Sequence, residues 1–299
     1  MIREVIEKDL EKVNSLCMSI LGDSYVTIGR LGGLTNHTYH VTMEDGSQFV
    51  VRIPGEGTEE LIVRKNEEIS TRLACDLEID AELLYFGEDG AKVTKYIDNA
   101  ITMSVCELQK GEHIKQIAEI LKRLHTCKVE TGVPFDVFDM AAEYEKIIIA
   151  KNVPMYDDYS IIKTTVMQIK SKIDRLCDTS KVPCHNDPLC ENWVTEGNGR
   201  MYLIDWEYAG MNDGMWDLAD VSIEAEFDYW MDKELLKEYF GEEASELQWQ
   251  HFYACKVYVD FLWTLWAKAR VPYDGQIMEE WASQRYERLK KNIEQLVKV

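Results

Sequence analysis

From residue 25 to residue 55 the chain alternates. Apolar side chains recur at Val26 and Ile28, then Tyr39 and Val41, then Phe49, Val51 and Ile53, with turn signals at Gly32-Gly33 and Glu44-Asp45-Gly46. A period of two belongs to strands with one buried face, so this stretch predicts a three-stranded antiparallel meander. "TEELIVRKNEEISTRLACDL", residues 58–77, has helical spacing, and two further strands read from "AELLYFGEDG" and "AKVTKYI". The first hundred or so residues therefore predict a five-stranded sheet with one helix after its third strand, behind an amphipathic helix at 4–21. From residue 112 the period changes to that of helices and holds almost to the end, broken only around residues 182–210. The expectation is an α+β chain: a β-rich lobe over 1–98, a link near 97–104 and a larger, mainly helical lobe over 99–299.

Composition narrows the function classes. The chain has 299 residues, 46% of them hydrophobic and 29% charged, with no apolar run of membrane-spanning length and no signal-like start, which predicts a cytoplasmic protein without membrane insertion. Its eight cysteines are scattered without a C-x-x-C pair and read as reduced thiols. A net charge of −21 disfavours nucleic acid and draws in cations.

The break in the helical pattern carries the chemistry. "VPCHNDPLCENW" sets His185, Asn186, Asp187, Glu191 and Asn192 among apolar residues, and "MYLIDWEYAG" ends a hydrophobic strand on Asp205. Polar groups near a core cost free energy unless something pairs them. A loop aspartate, an asparagine five residues on and a second aspartate at a strand end offer one base and two hard oxygen ligands. Asn192 and Asp205 suit Mg2+, a cation held by few protein oxygens plus substrate phosphates, which frees Asp187 to orient a hydroxyl and accept its proton.

On "HNDPLCEN", "LIDWEYAG" and "NDGMWDLAD" the chain resembles the choline kinase branch of the protein-kinase-like phosphotransferases, a group that includes the aminoglycoside phosphotransferases. The resemblance covers nearly the whole chain and is greatest to bacterial choline kinases. It implies a two-lobed protein-kinase-like fold, with Asp187 as catalytic base and Asn192 and Asp205 on magnesium. For ATP it implies Thr35 and Asn36 in the glycine turn near phosphate, Arg52 on phosphate and Tyr96 and Ile97 at the adenine. Glu67 or its neighbour Glu68 would orient Arg52, with Glu67 favoured. For choline it implies Trp263 and Trp266, three apart on one helix face, with Tyr208, Glu224 and Tyr229, and further candidates Trp281 and Tyr286. Glu207 is a possible support for metal or loop. The expected activity is an ATP- and Mg-dependent choline kinase. Alternatives are a kinase for ethanolamine, thiamine or an aminoglycoside, and an inactive relative that binds without transfer.

Overall fold

The computed structural model describes residues 2–31, 36–55 and 62–298, with side chains from Lys8 onward. The chain divides into two compact units, Met1–Met103 with Glu191–Ala209, and Ser104–Cys190 with Gly210–Val299.

Helix α1 (Ile2–Leu16) runs into a π-helical turn (Cys17–Leu21), and Gly22 closes it in the left-handed region, with φ 85°. Strands β1 (Thr27–Arg30), β2 (Asn36–Thr42) and β3 (Gln48–Pro54) form the meander, and α2 (Arg64–Asp76) follows. Strands β4 (Leu83–Phe86) and β5 (Lys92–Lys95) complete an antiparallel sheet in the order β1-β2-β3-β5-β4. Register follows the alternation: Tyr39 faces Val51, and Val51 faces Val93. These residues join Val13 and Cys17 in one buried cluster. Arg52, one residue on, takes the opposite face of the sheet, as a period of two requires. A short β6 (Ile101–Thr102) completes the part of this unit that precedes residue 104.

The second unit begins with α3 (Val105–Leu108), α4 (Gly111–His125), α5 (Val137–Ala150), α6 (Tyr159–Leu176) and β7 (Lys181–Cys184). The chain then returns to the first unit for β8 (Trp193–Thr195) and β9 (Met201–Leu203), which pair with β6 in the order β6-β8-β9. Strand β10 (Gly210–Asp213) pairs antiparallel with β7, and α7 (Gly214–Glu224), α8 (Tyr229–Phe240), α9 (Glu246–Asp274) and α10 (Gln276–Leu296) finish the second unit. Asp213, Asp228 and Ser245 cap α7, α8 and α9, each side chain accepting from main-chain amides of the first turn. Helix α9 packs against α5, α6, α7 and α10 and is buried over most of its length, so it lacks a wide polar face. The fold is the α+β architecture expected from the change of period. Among the described residues no helix is long and apolar enough to cross a membrane.

Candidate active site

In the first unit, buried charges gather around β3. Arg52 is 4% exposed and pairs with the fully buried Glu67 of α2. Its other donors reach the Gly90 carbonyl and Asp205 Oδ1, each at 3.1 Å. Arg64 donates to the second Glu67 oxygen at 2.6 Å and lies 3.6 Å from Glu207, while Lys92 Nζ stands 3.9 Å from Glu67. Gly90 is glycine for two reasons: its φ is +84°, and a Cβ there would run into the Arg64 side chain. Glu68 points elsewhere, to Lys65 and Arg72 on the surface of α2. Of the two neighbouring carboxylates it is therefore Glu67 that meets Arg52.

Asp205 ends the strand segment with φ 69°, a left-handed conformation that aspartate tolerates better than most residues. The Ile204 amide donates to the Asn192 carbonyl at 2.9 Å, which brings the Asp205 segment beside the 3-10 turn Cys190–Asn192. Asn36 Nδ2 donates to Glu207 Oε2 at 3.1 Å. Burial, and behind it the neighbouring Asp205 carboxylate, pushes the Glu207 carboxyl up. Burial likewise pushes Asp80 up to about 6 against the pull of Lys92. The Tyr96 amide donates to the Gln48 carbonyl, the Ala100 amide to that of Ile97, and the Tyr96 ring stacks on His40 with centroids 4.1 Å apart. Tyr208 is half-buried and belongs to this unit. The Gly32-Gly33 turn and Thr35 lie outside the described residues.

In the second unit, the polar loop after β7 is anchored by a residue that the sequence reading used only as a counting point. Asp217 on α7 is fully buried and accepts from the main-chain amides of His185 at 2.7 Å and Asn186 at 2.8 Å, with His125 Nε2 at 3.1 Å. Asn186 has φ 68°, and Trp216 Nε1 donates to its carbonyl while Asn212 Nδ2 donates to its side chain. Gly214 keeps its place because a Cβ would come within 2.9 Å of the His125 ring. The loop is thus fixed on both sides of the turn that presents the half-buried Asp187. His185 and His125 hold structure, as their burial and partners show.

The tryptophans make a connected row. Trp216 meets Trp263 edge-on at 6.5 Å, Trp263 meets Trp266 at 6.2 Å, and Trp266 meets Trp281 at 5.8 Å. Arg285 lies over Trp281, its guanidinium carbon 3.8 Å from the ring centroid, and donates to Glu224 at 2.7 Å. Two expected members stand apart from the row. Tyr229, 53% exposed, contacts Trp230 and Trp249. Tyr286 is 1% exposed, stacks on Tyr156 and donates to Asp158 at 2.7 Å. Arg285 and Asp217 are residues that the sequence reading missed. Only the i, i+4 spacing of Trp281 and Arg285 hinted at the first, and only the "WDLAD" context at the second.

Comparison with known proteins agrees with this geometry. A family model described as choline/ethanolamine kinase matches residues 29–262. Protein LicA of Haemophilus influenzae is 28% identical over 280 residues, 91% of this chain and 81% of that protein. The crystal structure of choline kinase LicA from Streptococcus pneumoniae superposes with a TM-score of 0.82 at 30% identity, covering 95% of this chain and 98% of that one. A wild-type aminoglycoside 2'-phosphotransferase is like it in fold alone, with 16% identity, a TM-score of 0.71 and coverage of 96% and 99%. With more than two thirds of its length matched, and with a cluster of paired charges in one unit and an anchored aspartate loop in the other, the chain belongs to the choline/ethanolamine kinase family of phosphotransferases.

Proposed function

We propose that this protein is an ATP-dependent choline kinase, which transfers the γ-phosphoryl group to the choline hydroxyl to give phosphocholine. The observation that carries the choice of acceptor is the row Trp216, Trp263, Trp266 and Trp281 in the unit that also carries Asp187 and Glu224. A quaternary ammonium has no N–H to donate, so recognition falls to aromatic faces and nearby carboxylates. The Streptococcus pneumoniae relative is a choline kinase, which supports the same acceptor here. ATP use and eight free thiols agree with a cytoplasmic protein.

Asp187 orients the choline hydroxyl and takes its proton as the new O–P bond forms. Arg52 offers N–H donors to phosphate oxygens, its fork already set by Glu67 and the Gly90 carbonyl. Asn192 and Asp205 would hold magnesium, which supplies neutralisation of phosphate charge. The donor set fits: both side chains offer hard oxygens, and Arg52 engages Asp205 through Oδ1. Glu207, held by Asn36 and near Arg64, would support the loop that carries Asp205. The Tyr96 carbonyl and Ile97 amide, neither taken up by another described main-chain group, suit a purine edge.

The test is coupled ADP release with ATP and magnesium, comparing choline, ethanolamine, thiamine and kanamycin at equal concentration. Choline turning over fastest by a wide margin is the expected result. Turnover confined to another amine would overturn the choice of acceptor, and nucleotide binding without transfer to any of them would make the chain an inactive relative.

A further inference from the structure

Helix α7 carries three acids, Asp217, Asp220 and Glu224, spaced to share one stripe of the helix. Their surroundings differ. Asp217 is spent on the amides of the polar loop and on His125. Glu224 is paired with Arg285. Asp220 is fully buried, and neither carboxylate oxygen has a hydrogen-bond partner among the described residues. Other buried polar atoms of this unit also lack hydrogen bonds, although Arg285 is ion-paired with Glu224 and stands 3.7 Å from Asp260. Arg285 presents Nε and Nη1, and Trp266 presents Nε1, all buried without a hydrogen-bond partner. Trp216, one turn before Asp220 on the same helix, rests on Trp263.

Buried carboxylates in folded proteins are almost always hydrogen-bonded or paired, and one that is neither calls for an occupant. Water could solvate it, but Trp216, a turn earlier on the same helix, opens onto the tryptophan row, and indole faces suit an organic cation better than a chain of waters.

Building on the choline kinase reading above, we propose that Asp220 is a second carboxylate of the cation subsite, which holds the substrate's ammonium together with Glu224 and the tryptophan row. The charged groups that face it are Asp187 from the polar loop, Asp217 and Glu224 from α7 itself, and Arg285 and Arg288 from α10. Burial, reinforced by Glu224 and Asp187 and opposed by Arg285, pushes the Asp220 carboxyl well above the usual range. A cation bound there therefore favours the charged carboxylate over the protonated carboxyl. The cation takes the proton's place: the carboxyl O–H breaks, the proton leaves to solvent, and the carboxylate keeps the electron pair and faces the ammonium. Cation binding then strengthens as pH rises towards the pKa of the empty site and becomes flat above it.

Tetramethylammonium, which has no hydroxyl to phosphorylate, reads this subsite without turnover. Calorimetric titration of choline and of tetramethylammonium, in two buffers of different ionisation enthalpy at about pH 6.5 and about pH 8.5, counts the protons released. For the wild-type protein the expected result is proton release on cation binding, larger at the lower pH than at the higher. Asp220→Asn is expected to abolish the release, to weaken both cations by roughly tenfold or more and to flatten the pH dependence. Its KM for ATP and its thermal midpoint should hold. Wild-type binding without proton release, or an Asp220→Asn variant that keeps release and affinity, would overturn the assignment of Asp220 alone. Failure of both cations to bind the wild-type protein would overturn the choline reading, and this proposal with it.

Discussion

Arg52 in the first unit and Asp220 in the second are both buried charged groups, yet they are treated in opposite ways. Around Arg52 the first unit assembles Glu67, Asp205 and Glu207 against Arg52, Arg64 and Lys92, so that nearly every charge meets its opposite. Around Asp220 the second unit supplies three further acids, Asp187, Asp217 and Glu224, against Arg285 and Arg288, and leaves its oxygens without hydrogen bonds on the helix that also carries Trp216. Under the proposed function the contrast follows from the ligands. Phosphate is polyanionic and directional, and a guanidinium can grip it only if its fork is already oriented by carboxylates. A quaternary ammonium is large, diffuse and without donors, so its site keeps counter-charge and aromatic faces in reserve.

Loss of Asp187 has the largest expected effect, because it removes the proposed base itself. Asp187→Ala is expected to lower kcat by about 10²- to 10⁴-fold with ATP affinity nearly unchanged, as read by single-turnover kinetics and nucleotide binding. Asp217→Asn comes next. It weakens the grip on the two loop amides, so kcat should fall by roughly 10²-fold while KM for choline stays within about twofold. A matched rise in KM would mean that Asp217 shapes the cation subsite as well.

Glu67→Ala breaks the paired region, leaving Arg52 and Arg64 buried with less compensation. Breaking a buried pair costs about 3–5 kcal/mol, so the thermal midpoint should drop by roughly 10 °C and KM for ATP should rise. Glu68→Ala, one residue on, should change neither; equal effects would dissolve the distinction between the two carboxylates. The smallest effect belongs to Trp263→Phe, which keeps an aromatic face but a weaker one. Its KM for choline should rise severalfold, with ethanolamine less affected and kcat held. An equal shift for both amines would return Trp263 to the core.

Local pattern carried much of this protein. The strand alternation around Val51, the helix periods after residue 112 and the order of Asp187, Asn192 and Asp205 were legible because each depends on residues close in the chain. The small sheet β6-β8-β9 was not, since two of its strands lie some ninety residues from the third.

Helical phase alone could not separate Glu67 from Glu68, which differ by about 100° around the α2 axis. What decided it was which side of α2 met Arg52 on the sheet. The same limit applies to the aromatic residues. Trp263 and Trp266 declare their shared face through spacing. That Tyr286 is spent on Asp158, that Tyr229 lies with Trp249, and that Arg285 covers Trp281 depend on elements up to 128 residues apart. Sequence by itself determined the fold class, the family and the order of the polar loop residues, because period, turn residues and residue type are local properties. Only the tertiary structure decided which charges are paired and which, like Asp220, are left waiting, because burial and pairing are properties of neighbours that the chain brings together when it folds.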